Sequence, residues 1–517
     1  MSPFSQFFNS FDYTLSLPMV LLTLFALGVL VIDLMLPEEW KRLNAVTAEL
    51  GIVFSAFALV FRIHLPFRRA QEAGFSVTHF LNGFGGTIAM DSFAIYFFYL
   101  FLAAGAITIL MSVRYLEIER ESHGEFYALI LLSMVGMMGM ACGTDLVMLF
   151  ISLELMAIST YVLVGFLRRD RRSNEAALKY LLLGAFSSGI FAYGLSLLYG
   201  LSGSTRLSQI SWMLQGYATA RYADPILVLA LITTATGLFF KVAAVPFHQW
   251  APDAYEGAPT SITGFMSVAG KAAAWALLLR IFLYGIGPLR PLYLPILVFV
   301  AVATMTGGNL AALTQTNLKR LFAYSSIAHV GYMLLGLIAG DRNHVSSTGI
   351  MGILIYLLVY TFMNLGVFAV ITSLRRREII GDEIEDISGL WFKAPTEALL
   401  MMIFLLSLAG IPPLAGFYGK YFIFLSLIET GHYALASLAV VYVAVAAYYY
   451  IKVVNAMFIS KAADLVPVRI SPGMKAVLAI TGIATVGIGL YPDPFIRAAN
   501  WSLQMTQAAS PIAHLLR

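Results

Sequence analysis

The feature that most constrains this chain is a long succession of apolar runs with very little between them. Fourteen stretches can be marked, at about 15–36, 43–63, 91–113, 124–142, 145–167, 175–200, 225–250, 260–283, 291–313, 320–339, 347–373, 396–427, 433–456 and 473–491. A helix needs about 20 apolar residues to cross the hydrocarbon of a bilayer, and a backbone in lipid has to satisfy its own hydrogen bonds. Fourteen such runs in 517 residues leave one architecture, an all-α polytopic membrane protein. Composition agrees. The chain is 60% hydrophobic and 12% charged, about half the charge of a soluble domain. The connections are short except near 64–90 and 201–224, so no linker leaves room for a soluble domain.

Several functions are excluded at once. A net charge of +4 is too small to mark a nucleic-acid partner. Cys142 is the single cysteine, which rules out a disulfide framework and any four-thiolate zinc or iron–sulfur site within the chain. Gly83-Phe-Gly-Gly is too short and badly placed for a dinucleotide loop, and no phosphate loop is present. The first seventeen residues hold no Lys or Arg, so no cationic leader is marked and the amino terminus is expected to stay in the mature chain. Loops 1–2, 3–4, 5–6, 9–10, 11–12 and 13–14 carry most of the loop Lys and Arg, including Arg168-Arg169-Asp170-Arg171-Arg172 and Arg375-Arg376-Arg377. The positive-inside rule then predicts both termini on the side away from the cytoplasm.

Two spans are interrupted. Span seven reads Phe240-Lys241-Val-Ala-Ala-Val-Pro246-Phe-His248, and span twelve reads Gly410-Ile-Pro412-Pro413-Leu-Ala-Gly416. Proline removes a backbone donor and clashes with the preceding turn. The freed groups are tolerated in a membrane only against protein or a watery cavity. The two breaks lie five helices apart, an odd offset that sets the two helices in opposite directions. This predicts inverted five-helix repeats, helices 4–8 and 9–13, the arrangement in which paired broken helices mark a transport site. The domains are accordingly 1–123 (helices 1–3), 124–283 (first repeat), 284–456 (second repeat) and 457–517 (helix 14 and tail).

The candidate site is a set of charges inside the spans. Glu154 lies mid-helix in span five, Lys241 just ahead of the break in span seven, Lys271 in the middle of span eight, and Lys420 after the double proline of span twelve. A central charge costs roughly 2.5–3.5 kcal/mol on insertion scales, so four cost on the order of 10 kcal/mol unless paired or hydrated. Structural ion pairs are the plain alternative, yet the lysines outnumber the acid and pairing cannot neutralise them all. Burial penalises an ammonium, so such lysines take up and release protons at modest cost. Water-separated groups of this kind are what proton conduction across lipid requires. Lys179, one turn into span six, either snorkels to the interface or acts beside Glu154. Lys452 reads as an interfacial anchor, and His248 and His329 as either relay groups or hydrogen-bonded core histidines. Haem ligation lacks any paired histidine spacing, and Asp145, Asp253 and Glu256 read as solvated charges at span ends.

Three long segments carry a family resemblance. Phe239-Phe-Lys-Val-Ala-Ala-Val-Pro-Phe-His-Gln-Trp-Ala-Pro-Asp-Ala-Tyr-Glu-Gly-Ala-Pro-Thr, Lys319-Arg-Leu-Phe-Ala-Tyr-Ser-Ser-Ile-Ala-His-Val-Gly-Tyr and Leu408-Ala-Gly-Ile-Pro-Pro-Leu-Ala-Gly-Phe-Tyr-Gly-Lys resemble motifs of the antiporter-like membrane subunits of respiratory complex I. The resemblance covers roughly residues 90–460. Within that family, three features single out one member: the fifth- and sixth-helix segments from Ser152 and Ser173, Lys420 where another member typically has a glutamate, and Asn364 in a helix that carries a histidine in others.

The resemblance implies a proton-translocating subunit of a NADH:quinone oxidoreductase. Glu154 and Lys241 match the family's acid–lysine pair, Lys271 its central lysine, Lys420 its terminal group and Lys179 a lysine near the acid. No catalytic residue, cofactor or metal site is expected in this chain; FMN, iron–sulfur clusters and quinone belong to partner subunits. The expected partners are the neighbouring antiporter-like and small membrane subunits and the bilayer. The expected location is a bacterial inner membrane with periplasmic termini, or a thylakoid membrane. Two other readings are a subunit of a multi-subunit sodium/proton antiporter, and a scaffold whose charges only hold subunits together.

Overall fold

The computed structural model describes residues 10–73, 82–218, 224–340, 347–375, 381–460 and 470–504. Arg376, Arg377 and the two chain ends, on which part of the orientation argument rests, lie outside these residues. Among the described residues, thirteen helices are long and apolar enough to cross a membrane. The fourteenth crossing is a broken one, whose halves Pro395–Ala409 and Ala415–Glu429 are each too short alone.

In chain order the crossings are α1 (Ser10–Met35), α2 (Glu38–Ala70), α3 (Ser92–Glu119), α4 (Gly124–Cys142), α5 (Leu146–Val164), α6 (Arg171–Ser202) and α7 (Pro225–Val242 with the half-helix Trp250–Gly257). They continue as α8 (Thr260–Gly285), α9 (Arg290–Leu313), α10 (Leu318–Ala339), α11 (Ser347–Leu374), α12 (the broken crossing), α13 (Tyr433–Phe458) and α14 (Pro472–Leu490). Their ends are chemically marked. Asp91, Asp145, Asp170, Asp224, Asn317 and Ser471 each accept a hydrogen bond from an orphan N–H of the first turn, and Pro225, Pro395 and Pro472 occupy first-turn positions where no donor is needed.

Two connections fold further than expected. Asn82–Gly83 and Ile88–Ala89 form a small antiparallel hairpin. Ile88 also bridges to Gly143 and Asp145 to Arg206, so loops 2–3, 4–5 and 6–7 join at one face. The amphipathic helix Leu207–Ala218 follows, and a terminal helix, Asp493–Gln504, docks at the same end through Ser92 Oγ donating to Ser502 O at 3.1 Å. Asn317 bridges to Glu383 at the opposite face. The core runs through α8, α10 and α11, the most buried crossings.

Candidate functional site

The breaks create the site. After Val242, Ala243 adopts φ 61, a left-handed conformation that an L residue reaches only at a cost, and the helix stops. Ala243 and Ala244 N–H close back on Phe240 and Phe239 carbonyls at 3.0 and 2.8 Å. The Trp250 indole, from the half-helix beyond the break, donates to Phe240 O at 2.9 Å. In α12 the first half ends at Gly410, φ 89. Here the freed carbonyls of Leu408 and Ala409 accept from Lys420 Nζ at 2.9 and 2.8 Å. The ammonium thus caps the negative end of a half-helix dipole. Pro246, Pro412 and Pro413 lie exposed on the outer surface of the chain, each break holding one cis X-Pro bond.

Because α7 closes its break with an indole, Lys241 is left to point inward. It is 6% exposed, and its Nζ donates to the Tyr161 hydroxyl at 3.3 Å. Glu154, half-buried on the same helix as Tyr161, accepts from Ser188 Oγ at 2.5 Å. No ion pair within 4.0 Å joins Glu154 to Lys241. The Tyr161 ring meets Tyr180 edge-on at 4.5 Å, and Tyr180 stacks on Trp250 at 4.5 Å.

Lys271 is 3% exposed and follows a π-helical turn, Met266–Gly270, in α8; such bulges re-aim side chains at functional positions. It donates to Ser326 and lies 5.8 Å from the Tyr255 ring centre. The buried hydroxyls of Tyr255 and Tyr360 both face Ser326. Asn364 of α11 donates to Ser267 of α8 at 2.6 Å. His329, 2% exposed, is bonded at Nδ1 to Tyr356 and at Nε2 to Tyr450 at 3.0 Å. Lys420, 4% exposed, lies 5.4 Å from the Tyr332 ring, and Tyr332 meets His329 edge-on. His329 lies within electrostatic reach of both Lys271 and Lys420.

Other residues fall elsewhere. Lys179 is about half exposed and pairs with Glu175 at 2.8 Å and Asp253 at 3.0 Å, not with Glu154. Asp253 and Glu256 are not free solvated charges: Arg320 holds both at 2.8 Å. Asp145 is buried because it caps α5. Lys452 donates to Gln315 O at 3.3 Å. His248 lies at the break of α7, close to the Pro246 backbone.

Sequence reasoning missed two buried ion pairs. Arg280 makes a two-pronged contact to Asp91 at 2.7 and 2.8 Å and donates to Ala141 O at 2.9 Å, stapling α8 to the ends of α3 and α4. Lys319 binds Asp382 at 3.1 Å and caps the half-helix of α7 at Ala258 O, 3.0 Å. It also missed the tyrosines, whose hydroxyls carry no charge to flag them. A polar residue recurring on the inner face of several spans was the available signal.

Buried lysines, paired breaks and connecting hydroxyls define a polytopic membrane protein of the ion-translocating class. The transmembrane family described as NADH:quinone oxidoreductase/Mrp antiporter matches residues 143–446. NADH-quinone oxidoreductase subunit N 1 of Koribacter versatilis is 62% identical over 98% of both chains. Subunit N 2 of Solibacter usitatus is 53% identical over 97% of this chain and all of its own. A chain of respiratory complex I from Thermus thermophilus with bound aureothin superposes with a TM-score of 0.75 at 31% identity, covering 93% of this chain and 99% of that one. A chain of the Mrp complex from Dietzia shares the fold, with a TM-score of 0.80 at 20% identity over 98% of this chain and 100% of that one. The chain belongs to the NADH-quinone oxidoreductase subunit N family of antiporter-like membrane proteins.

Proposed function

We propose that this chain is the proton-translocating membrane subunit of a NADH:quinone oxidoreductase. Electrons pass from NADH through FMN and iron–sulfur clusters to quinone in partner subunits, and this chain moves protons through Glu154, Lys241, Lys271 and Lys420, with His329 between the last two. Its repeats are residues 124–283 and 284–456. It resides in a bacterial inner membrane with both termini periplasmic, beside other antiporter-like and small membrane subunits.

One observation carries the reading. Three lysines, each at most 6% exposed, have hydroxyl, carbonyl or ring neighbours and no carboxylate in ion-pair contact. Groups so placed can exchange protons with their surroundings, whereas a structural ion pair would hold them charged. The buried hydroxyls of Tyr255 and Tyr360 both face Ser326, the partner of Lys271, and extend the polar lining around that lysine.

Redox events in partner subunits bias Glu154 toward or away from Lys241. Removing an opposite charge changes the free energy of the lysine proton by roughly 1.4–4 kcal/mol, against about 2.3 kcal/mol to move one charge across 100 mV. The pair therefore has the right scale to push a proton toward Lys271 and Lys420. Lys179, held by Glu175 and Asp253, anchors α6 at the interface, and His248 is a second relay candidate at the α7 break.

Lys241→Ala in the assembled complex is expected to lower the number of protons moved per NADH while the chain stays in the membrane. A normal ratio in a fully assembled variant overturns the proposal, and sodium-dependent exchange without NADH would point to the antiporter instead.

A further inference from the structure

His329 is held by two phenols and by no carboxylate: Tyr356 meets Nδ1, and Tyr450 meets Nε2 at 3.0 Å. The two arms lead in different directions. Tyr450 is bonded to Ser325 at 2.5 Å, and the next residue, Ser326, takes the hydrogen bond of Lys271. Tyr356 lies against Gly419, where an added Cβ would come within 2.9 Å of its ring, and the next residue is Lys420. All three side chains are at most 2% exposed, and the rings of Tyr332 and Tyr360 flank the imidazole at 6.1 and 5.2 Å. The Tyr450 arm thus leads back to the stretch of α10 that meets Lys271, and the Tyr356 arm to the stretch of α12 that carries Lys420; each end is reached through a chain neighbour, not through a direct hydrogen bond.

We propose that Tyr356 and Tyr450 are positioning residues that hold His329 as a two-ended bridge, across which a proton moves by exchange of neutral imidazole tautomers. The inference rests on the proton-translocating reading above and deepens it. At rest Nδ1–H donates to the Tyr356 oxygen and Nε2 accepts from the Tyr450 O–H. In the hop, the Tyr450 O–H bond breaks as Nε2–H forms. The Nδ1–H bond breaks as its proton joins the Tyr356 oxygen, and the former Tyr356 proton leaves toward Lys420. Tyr450 is refilled through Ser325. One proton enters and one leaves, every oxygen keeps its valence, and the ring ends as the other neutral tautomer. The ring's two hydrogen-bond partners are neutral phenols, so no contacting carboxylate balances an accumulated imidazolium.

The test uses the whole complex with isotope-labelled histidine in inverted membrane vesicles, and reads two quantities: protons moved per NADH, and the infrared ring bands that report which nitrogen carries the proton. Tyr450→Phe and Tyr356→Phe keep the rings and remove one hydroxyl each. Each is expected to lower pumping about ten-fold or more, the scale of a lost proton-transfer partner. The wild type is expected to exchange Nδ1–H and Nε2–H signatures during turnover without building up imidazolium. Wild-type pumping in both phenylalanine variants, or an imidazolium band that accumulates during turnover, overturns the inference. If Lys271→Met also pumps normally, the parent reading fails with it. If Lys271→Met stops pumping while both tyrosine variants pump normally, only the clamp is wrong.

Discussion

Lys241 donates its hydrogen bond to the phenol of Tyr161 at 3.3 Å, while Glu154, one and a half to two turns earlier on the same helix as that tyrosine, is bonded to Ser188. The acid and the lysine are thus each satisfied by a neutral neighbour, and the structure shows their pair apart. In the proposed relay, Tyr161 is the resting partner of Lys241 when the lysine is not on the acid.

Tyr161→Phe removes that resting place and keeps the ring. A hydrogen bond to a charged group is worth about 1.5–3 kcal/mol, so the balance between the paired and separated states is expected to move by one to two orders of magnitude toward pairing. Pumping per NADH should fall with little change in assembly, as read by proton uptake in inverted vesicles and by native gel.

The phenol has its place because residue 184 is glycine: a Cβ there would sit 2.1 Å from the Tyr161 oxygen. Gly184→Ala is expected to mimic Tyr161→Phe in pumping. The double variant Gly184→Ala/Tyr161→Phe removes the nearest atom but leaves ring carbons at 2.6 and 3.0 Å, so it should recover only part of the assembly that Gly184→Ala loses.

Arg280 and Asp91 are buried and satisfy each other. Removing one partner of a buried pair costs about 3–5 kcal/mol, whereas replacing both by apolar residues is often nearly neutral. Arg280→Met alone should cut the amount of assembled subunit. Arg280→Met with Asp91→Asn, which keeps an acceptor for the capping Ala94 N–H, should restore part of it, measured by thermal melting of the purified complex.

Asp253 accepts from Lys179 at 3.0 Å and from Arg320 at 2.8 Å, and it makes these ion pairs only as a carboxylate. Asp253→Asn should therefore lower stability by at most about 1 kcal/mol near neutrality. The difference from wild type should vanish in strong acid, as seen in melting curves taken across pH 2–7.

The crossings and both breaks were legible because burial in lipid writes itself as runs of apolar residues, and prolines interrupt those runs only where a structure answers for it. Lys241, Lys271 and Lys420 were legible for the same reason, as charges against an apolar background. Lys179 was not placed, because periodicity does not say which of several acids an interfacial lysine meets; Glu175 one turn earlier and Asp253 on another helix outcompete Glu154. Arg280 near a span end looked like an ordinary interfacial residue, since its partner Asp91 lies 189 positions away. The hairpin at 82–89 has strands of two residues, too short to show alternation.

The most direct measurement is the proton-to-electron ratio of the fully assembled complex carrying Lys271→Met, the variant that removes the buried amine bonded to Ser326 without adding volume. This account predicts a ratio below wild type with NADH oxidation and assembly retained. A wild-type ratio in that complex would contradict it.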